Sequence, residues 1–284
     1  MEHDFEGILA KVAAIGYQEV ETANGFNNMS PKAFRTLLDK NKLKCPSTHS
    51  APVLGADLEK QWEGFQTMGI QYSREPAPPR APRPPGASLG QYMNRNSFFE
   101  VEAFGPLQPR QKLDAVKRRA ANINEQARIS TKFGIKLFIH NHTGEFEPLL
   151  DSTKTEWDIY LEETDPTLVT LQLDLGWARI AGVDPIELFR KTPGRYELWH
   201  IKDVVGLKTV NPALPPNERT ASMAFTPVGR GQIDWGPYFA QAELAGMKHF
   251  FVEQDNASTF GDSLAAARVS HESLTKLLRP VGRG

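Results

Sequence analysis

At 284 residues the chain is long enough for a sizeable core and suits one large α/β barrel or two small domains. Its 33 basic and 34 acidic side chains leave a net charge of −1 with no basic block to track a phosphate backbone, so no nucleic-acid partner is expected. The lone cysteine, Cys45, excludes an internal disulfide and a thiolate zinc cluster, and no apolar run approaches the roughly 18 residues that span a bilayer.

The chain therefore reads as soluble, with no membrane partner. Its opening five residues have no signal-peptide character, which makes the cytoplasm the default and the periplasm possible only if a natural opening segment is missing. Phe5, Ile8, Leu9, Val12 and Ile15 recur at helical spacing, predicting an amphipathic helix over 4–15 that Gly16 stops. A short strand over 17–21 ends on Glu21. Ser30 and Pro31 then cap a helix reaching about residue 41, with Phe34, Leu37 and Leu38 inward. Residues 43–50 form a second strand ending near His49, and 57–68 a helix with Leu58, Trp62 and Phe65 on one face. The alternation then falters: residues 75–86 hold six prolines in twelve positions, a composition that makes neither a central strand nor a helix. We read 73–106 as an extended proline-rich insertion, whose Tyr92, Phe98, Phe99 and Phe104 imply packing of its second half.

A long helix over 109–133 is closed by Gly134, and 135–142 (IKLFIHNH) is the clearest strand, tipped by His140, Asn141 and His142. After a helix around 157–163, the apolar run 169–173 is short and β-prone, as suits a strand covered on both faces, and Asp174 closes it. Asp184 and Pro185 open a helix that packs through Ile186, Leu188 and Phe189, and the strand 196–201 that follows carries His200. A whole helix separates these two strands, so they lie parallel and deliver Asp174 and His200 to the same sheet edge. Residues 205–227 read as irregular, and 227–235 (PVGRGQIDW) as a glycine-rich loop capping a helix from Asp234 to Gly246. The last strand, 248–254, carries Glu253, and a helix over 262–278 follows. Six or seven strand–helix pairs without a linker point to a single barrel domain over 1–284, ahead of an open doubly wound sheet.

Four of the seven histidines, His49, His140, His142 and His200, fall at predicted strand ends. A parallel barrel brings every such end to one face, where these imidazoles meet Glu21, Glu145, Asp174 and Glu253. That nitrogen and oxygen set suits Mn²⁺, Zn²⁺, Co²⁺ or Fe²⁺. Lys202 shares the side of His200 by the two-residue period and could bind a substrate oxygen, the alternative being a surface salt bridge. Arg230 in the glycine-rich loop could contact a hydroxylated or anionic substrate, or simply be solvated.

The segments FIHNHTGEFEP, LQLDLGWARIAGVDP, LWHIKD, PVGRGQIDW and HFFVEQD resemble, in order and spacing, the sugar phosphate isomerase/epimerase family of xylose isomerase-like barrels, which includes inosose dehydratases, keto-sugar epimerases and 3-keto-glycoside lyases. The resemblance implies a (β/α)8 TIM-type barrel here lacking the usual first strand and irregular around strand four. Either the start is truncated, or an open seam is covered by another segment or a homo-oligomer. It implies a divalent metal ion, manganese first, with zinc, cobalt, iron or magnesium as alternatives. Asp174, His200 and Glu253 match the family's metal ligands. The fourth is usually a glutamate ending strand five, so Glu145 is expected to reach back from the loop, with His142 as the alternative. On a small-molecule sugar substrate, Glu145, Glu253 and His142 are the catalytic candidates, and Glu21, His49, His140, Asn141, Lys202 and Arg230 the substrate-binding ones. The implied reaction is isomerisation, epimerisation or elimination on a keto-sugar, cyclitol or 3-keto-glycoside through an enediolate. A metal-dependent phosphodiesterase on the same barrel, or a non-catalytic barrel subunit, are the competing readings.

Overall fold

The computed structural model describes residues 4–23, 25–77, 110–207, 223–257 and 262–279. In chain order the strands are β1 (Glu19–Thr22), β2 (Lys44–Thr48), β3 (Tyr72–Ser73), β4 (Lys136–His140), β5 (Val169–Asp174), β6 (Leu198–Ile201), β7 (Asp203–Val205), β8 (Ala224–Thr226) and β9 (His249–Val252). Seven of them form one parallel sheet in the order β1-β2-β3-β4-β5-β6-β9. Helices between the strands cover its outer face, as parallel pairing requires. Their punctuation is in the sequence. Ser30 Oγ accepts from Ala33 N at 3.3 Å before Pro31–Lys40, Thr155 and Asp158 form a reciprocal capping box on Glu156–Glu163, and Asp184 caps Pro185–Lys191.

The sheet is a barrel with an open seam. Its ends, β1 and β9, are bridged by a side-chain pair, His249 Nδ1 lying 2.7 Å from Glu19 Oε2, and Tyr17, ahead of β1, donates to the carbonyl of Ala267 in helix Ser263–Leu278 at 2.9 Å. Among the described residues no strand pairs with the outer edge of either. Helix Phe5–Ile15 precedes β1 and packs beside helix Ser263–Leu278, completing the helical ring where the sheet has no strand. The fourth barrel position is irregular as expected, for β3 holds only two residues.

Other expectations need correction. The span 205–227, read as irregular, contains β8, which pairs antiparallel with β7 in the register Val204↔Phe225. The single helix expected from Asp234 to Gly246 is instead two short ones, Gly236–Phe239 and Ala242–Ala245. Of the proline-rich insertion, Ser73 belongs to β3 and Ala77 bridges Val53, while 78–106, including Tyr92, Phe98, Phe99 and Phe104, lies outside the described residues. No helix among the described residues is long and apolar enough to cross a membrane.

The glycine-rich loop is fastened by one buried carboxylate. Asp203 accepts from the backbone N–H groups of Val204, Gly229, Gly231 and Ile233 at 2.9, 2.9, 3.0 and 3.3 Å. Gly231 allows that approach: a Cβ there would overlap Asp203 Oδ1 and sit 2.7 Å from the carbonyl oxygen of Val204. Gly231→Ala is therefore expected to destabilise the fold by about 1–3 kcal/mol, the usual range for overpacking. An unchanged urea midpoint would contradict this account of the loop.

Candidate metal centre

Side chains alternate in direction along a strand, and this period builds the site on an apolar floor. Tyr72, Phe138, Leu198 and Phe251, from β3, β4, β6 and β9, form a buried cluster separate from the core that the helices cover. Two residues further along three of these strands stand His140, His200 and Glu253. Asp174 is the register partner of His200, and Gln172 that of His140. His140, Asp174, His200 and Glu253 each offer a donor atom, all within 4.8 Å of one another.

Each donor is held from behind. Asp174 Oδ1 accepts from Trp177 N at 2.9 Å, and Asn141 grips the backbone of Asp174 on both sides, accepting from its N–H at 2.9 Å and donating to its carbonyl at 3.2 Å. Asp174 Oδ2 is left facing Lys202 Nζ at 3.1 Å and His200 Nδ1 at 3.9 Å. His200 Nδ1 meets Glu253 Oε2 at 2.6 Å, and its Nε2 meets Glu21 Oε2 at 2.6 Å. His140 Nδ1 lies 3.0 Å from Gln172 Oε1, while its Nε2 is buried and has no hydrogen-bond partner among the described residues.

The electrostatics follow from this packing. Burial opposes a charge on His200, but Glu253 and Glu21 hold it well above its ordinary range. Burial likewise opposes a charge on Lys202, yet Asp174, Glu253 and Asp255 keep it protonated. Burial, offset by Lys202, pushes Asp174 up to about 6. Burial and the cation of Lys202 push His142 down to about 3, and burial with His200 and His49 nearby drives His140 well below its usual value, so both are neutral near pH 7. An imidazole with an orphaned nitrogen, grouped with a buried carboxylate, a half-buried one and a second imidazole, fits a divalent ion. His140, Asp174, His200 and Glu253 would hold it.

Of the residues singled out in the sequence, Glu21, His49, His140, Asn141, His142, Asp174, His200, Lys202 and Glu253 come together. His49 Nε2 lies 2.6 Å from Gln172 Oε1, and the His142 ring packs edge-on against His140 and Trp177. Two do not join them. Glu145, expected as the fourth ligand and a catalytic group, lies in the turn Gly144–Phe146, and its Oε2 accepts from the backbone N–H of His142 at 2.7 Å. It is absent from the donor group because that local bond turns its carboxylate back on its own loop, and His142, the alternative, also lies past the strand's end. Arg230 is exposed on the tip of the glycine-rich loop.

Sequence reasoning missed Gln172 and Asp255. Both stand two residues from a recognised site residue, Asp174 and Glu253, and the strand period was the signal for them. Asp255 Oδ2 lies 3.0 Å from Lys202 Nζ, whose ammonium also sits over the Trp177 and Phe225 rings. A cavity of about 770 Å³ opens from Glu21, His49, His200 and Glu253 along the seam between β1 and β9.

Comparison with known proteins points the same way. The profile of the family described as a xylose isomerase-like TIM barrel matches residues 9–277. An inosose dehydratase of Geobacillus kaustophilus is 32% identical over 161 residues, 55% of this chain and 51% of the relative, so the chain spans about half the length of that curated relative in the match. A sugar phosphate isomerase/epimerase from Parabacteroides distasonis superposes with a TM-score of 0.68 at 19% identity, over 98% of this chain and 89% of its own. A xylose isomerase-like barrel from Mycobacterium smegmatis, solved with magnesium, does so with a TM-score of 0.63 at 17% identity, over 98% and 89%. The last two likenesses are of fold.

Proposed function

The chain belongs to the xylose isomerase-like TIM barrel family, and on that premise we propose that it is a divalent-metal-dependent lyase or epimerase acting on a keto-sugar, cyclitol or 3-keto-glycoside through an enediolate. The observation that carries this reading is the meeting of His140, Asp174, His200 and Glu253, each with a donor atom within 4.8 Å of the others, together with a buried ring nitrogen on His140, Nε2, that has no hydrogen-bond partner among the described residues. When bound, a divalent ion supplies Lewis-acid polarisation of a substrate carbonyl, which acidifies the neighbouring C–H.

The chain's own residues supply the rest. Glu253 is the most open carboxylate of the donor group, with its side chain 24% exposed against 0% for Asp174, and it can accept the carbon-bound proton. Lys202 sits 3.0 Å from it and stabilises its anionic form before the transfer. Neutral His142 can hydrogen-bond a substrate oxygen without adding a charge, and Trp177 and Phe225 wall the site against water. Return of the proton to the opposite face of the carbon gives epimerisation, and loss of a β-substituent gives dehydration or deglycosylation. Similarity to inosose dehydratases favours the elimination outcome.

The test is proton exchange in heavy water with the manganese-loaded protein and a panel of inososes, keto-sugars and 3-keto-glycosides. Deuterium should enter the carbon next to the carbonyl of at least one member, and Glu253→Gln should reduce that rate by about 10²–10⁴-fold, the span of general acid–base assistance. Absence of exchange across the panel would sink the enediolate reading.

A further inference from the structure

Gln172 lies in the middle of the site and reaches three of its members. Its Oε1 is 2.6 Å from His49 Nε2 and 3.0 Å from His140 Nδ1, and its Nε2 is 2.7 Å from Glu21 Oε1. Glu21 is itself surrounded by donors: Ser47 Oγ at 2.5 Å on Oε1 and His200 Nε2 at 2.6 Å on Oε2. Only one orientation of the amide satisfies this arrangement. Turned over, its oxygen would face a carboxylate oxygen at 2.7 Å, and its NH₂ would compete with the imidazole N–H groups. In the orientation that works, the nitrogen facing Oε1 on each histidine must carry a hydrogen. One carbonyl oxygen has two lone pairs, one for each imidazole.

We infer that Gln172 is a positioning residue that selects the tautomer of His140, fixing the hydrogen on Nδ1 so that the Nε2 lone pair is presented to the donor group. A hydrogen on Nε2 instead would be buried without an acceptor, since that atom has no hydrogen-bond partner among the described residues. Glu21 does for His200 what Gln172 does for His140: each takes the ring nitrogen turned away from the other donors. The amide also ties the two halves together, because the carboxylate that it donates to is the one that holds His200. The difference between the partners is chemical. A carboxylate behind a ligand raises its basicity and adds negative charge, whereas an amide sets direction and tautomer and leaves the net charge of the site unchanged. This inference rests on the reading of His140 as a metal donor, but its first consequence concerns the metal-free protein.

The experiment uses metal-free protein labelled with ¹⁵N in its histidine rings, observed by long-range ¹H–¹⁵N correlation, with His140 assigned from the His140→Gln spectrum. His140 should appear as a single tautomer with the hydrogen on Nδ1. In Gln172→Met, which keeps the length and removes the acceptor, the two tautomers should mix, and Co²⁺ titrated against the protein should bind about 10–100-fold more weakly, the usual consequence of losing such a partner. A hydrogen on His140 Nε2 in the unsubstituted protein would overturn the inference, as would a methionine variant with tautomer and Co²⁺ affinity both unchanged. If the methionine variant fails to fold, the spectrum of the unsubstituted protein alone decides. Failure of that protein to bind Co²⁺ while His140 shows the expected tautomer would count against the metal reading and uphold the tautomer assignment.

Discussion

Asp174→Asn is expected to strip the protein of its divalent ion. Asparagine keeps the oxygen that caps Trp177 N, so the start of helix Leu175–Ile180 should survive, and the change falls on the second oxygen, which faces Lys202 and His200. An amide there carries no charge to offset a dication, and the position is fully buried, so water cannot substitute for the lost carboxylate. The affinity loss should exceed the roughly 10–100-fold that follows from removing an outer hydrogen-bond partner. Elemental analysis after dialysis, followed by titration with Mn²⁺ or Co²⁺, measures it. Glu145→Gln is the control: with its carboxylate committed to the His142 N–H, it should leave metal content alone. Retention of metal by Asp174→Asn, or equal loss from Glu145→Gln, would show that the donor group has been drawn wrongly.

Lys202→Met should be the most damaging single change in the metal-free protein. The Lys202 side chain is 1% exposed and its ammonium lies within 3.1 Å of Asp174, Glu253 and Asp255. Methionine fills nearly the same space and packs against Trp177 and Phe225, so the cavity term is small and the electrostatic one dominates. Three carboxylates are then left close together with His200 as the nearby cation. Breaking a buried charge network of this kind costs about 3–5 kcal/mol, or roughly 6–10 °C in Tm for a protein of this size. A divalent ion should recover part of the loss, so added Mn²⁺ should raise the Tm of the variant more than that of the unsubstituted protein. Equal Tm values without metal would mean that the carboxylates share protons, and that Lys202 is not what balances them.

Asp174 and His200 are legible in the sequence as strand tips because a helix opened by Asp184 and Pro185, and closed by Pro193 and Gly194, separates two apolar runs and forces them parallel. Glu253 is legible for a similar reason, as a charge directly after the run Phe250, Phe251 and Val252. The two-residue period places Lys202 on the correct side, but nothing local shows that it is buried among three carboxylates that come from β5 and from beyond the end of β9. Spacing leaves Glu145 the choice between reaching back to the site and capping its own loop, and in the structure the turn Gly144–Phe146 sets its Oε2 on the His142 N–H.

By itself, the sequence determined the alternation of strands and helices, the parallel sheet and the strand ends that carry imidazoles and carboxylates. Those depend on apolar period, caps and connection length, all of which act over a few residues. Only the tertiary structure decided which side chains meet. His140 joins Asp174, His200 and Glu253 because barrel curvature and register bring four strands to one axis, and Gln172 touches Glu21 across 151 positions of chain. The seam was decided there too: β1 and β9 approach closely enough for Glu19 and His249 to pair, yet their backbones do not, which leaves the cavity open beside the site.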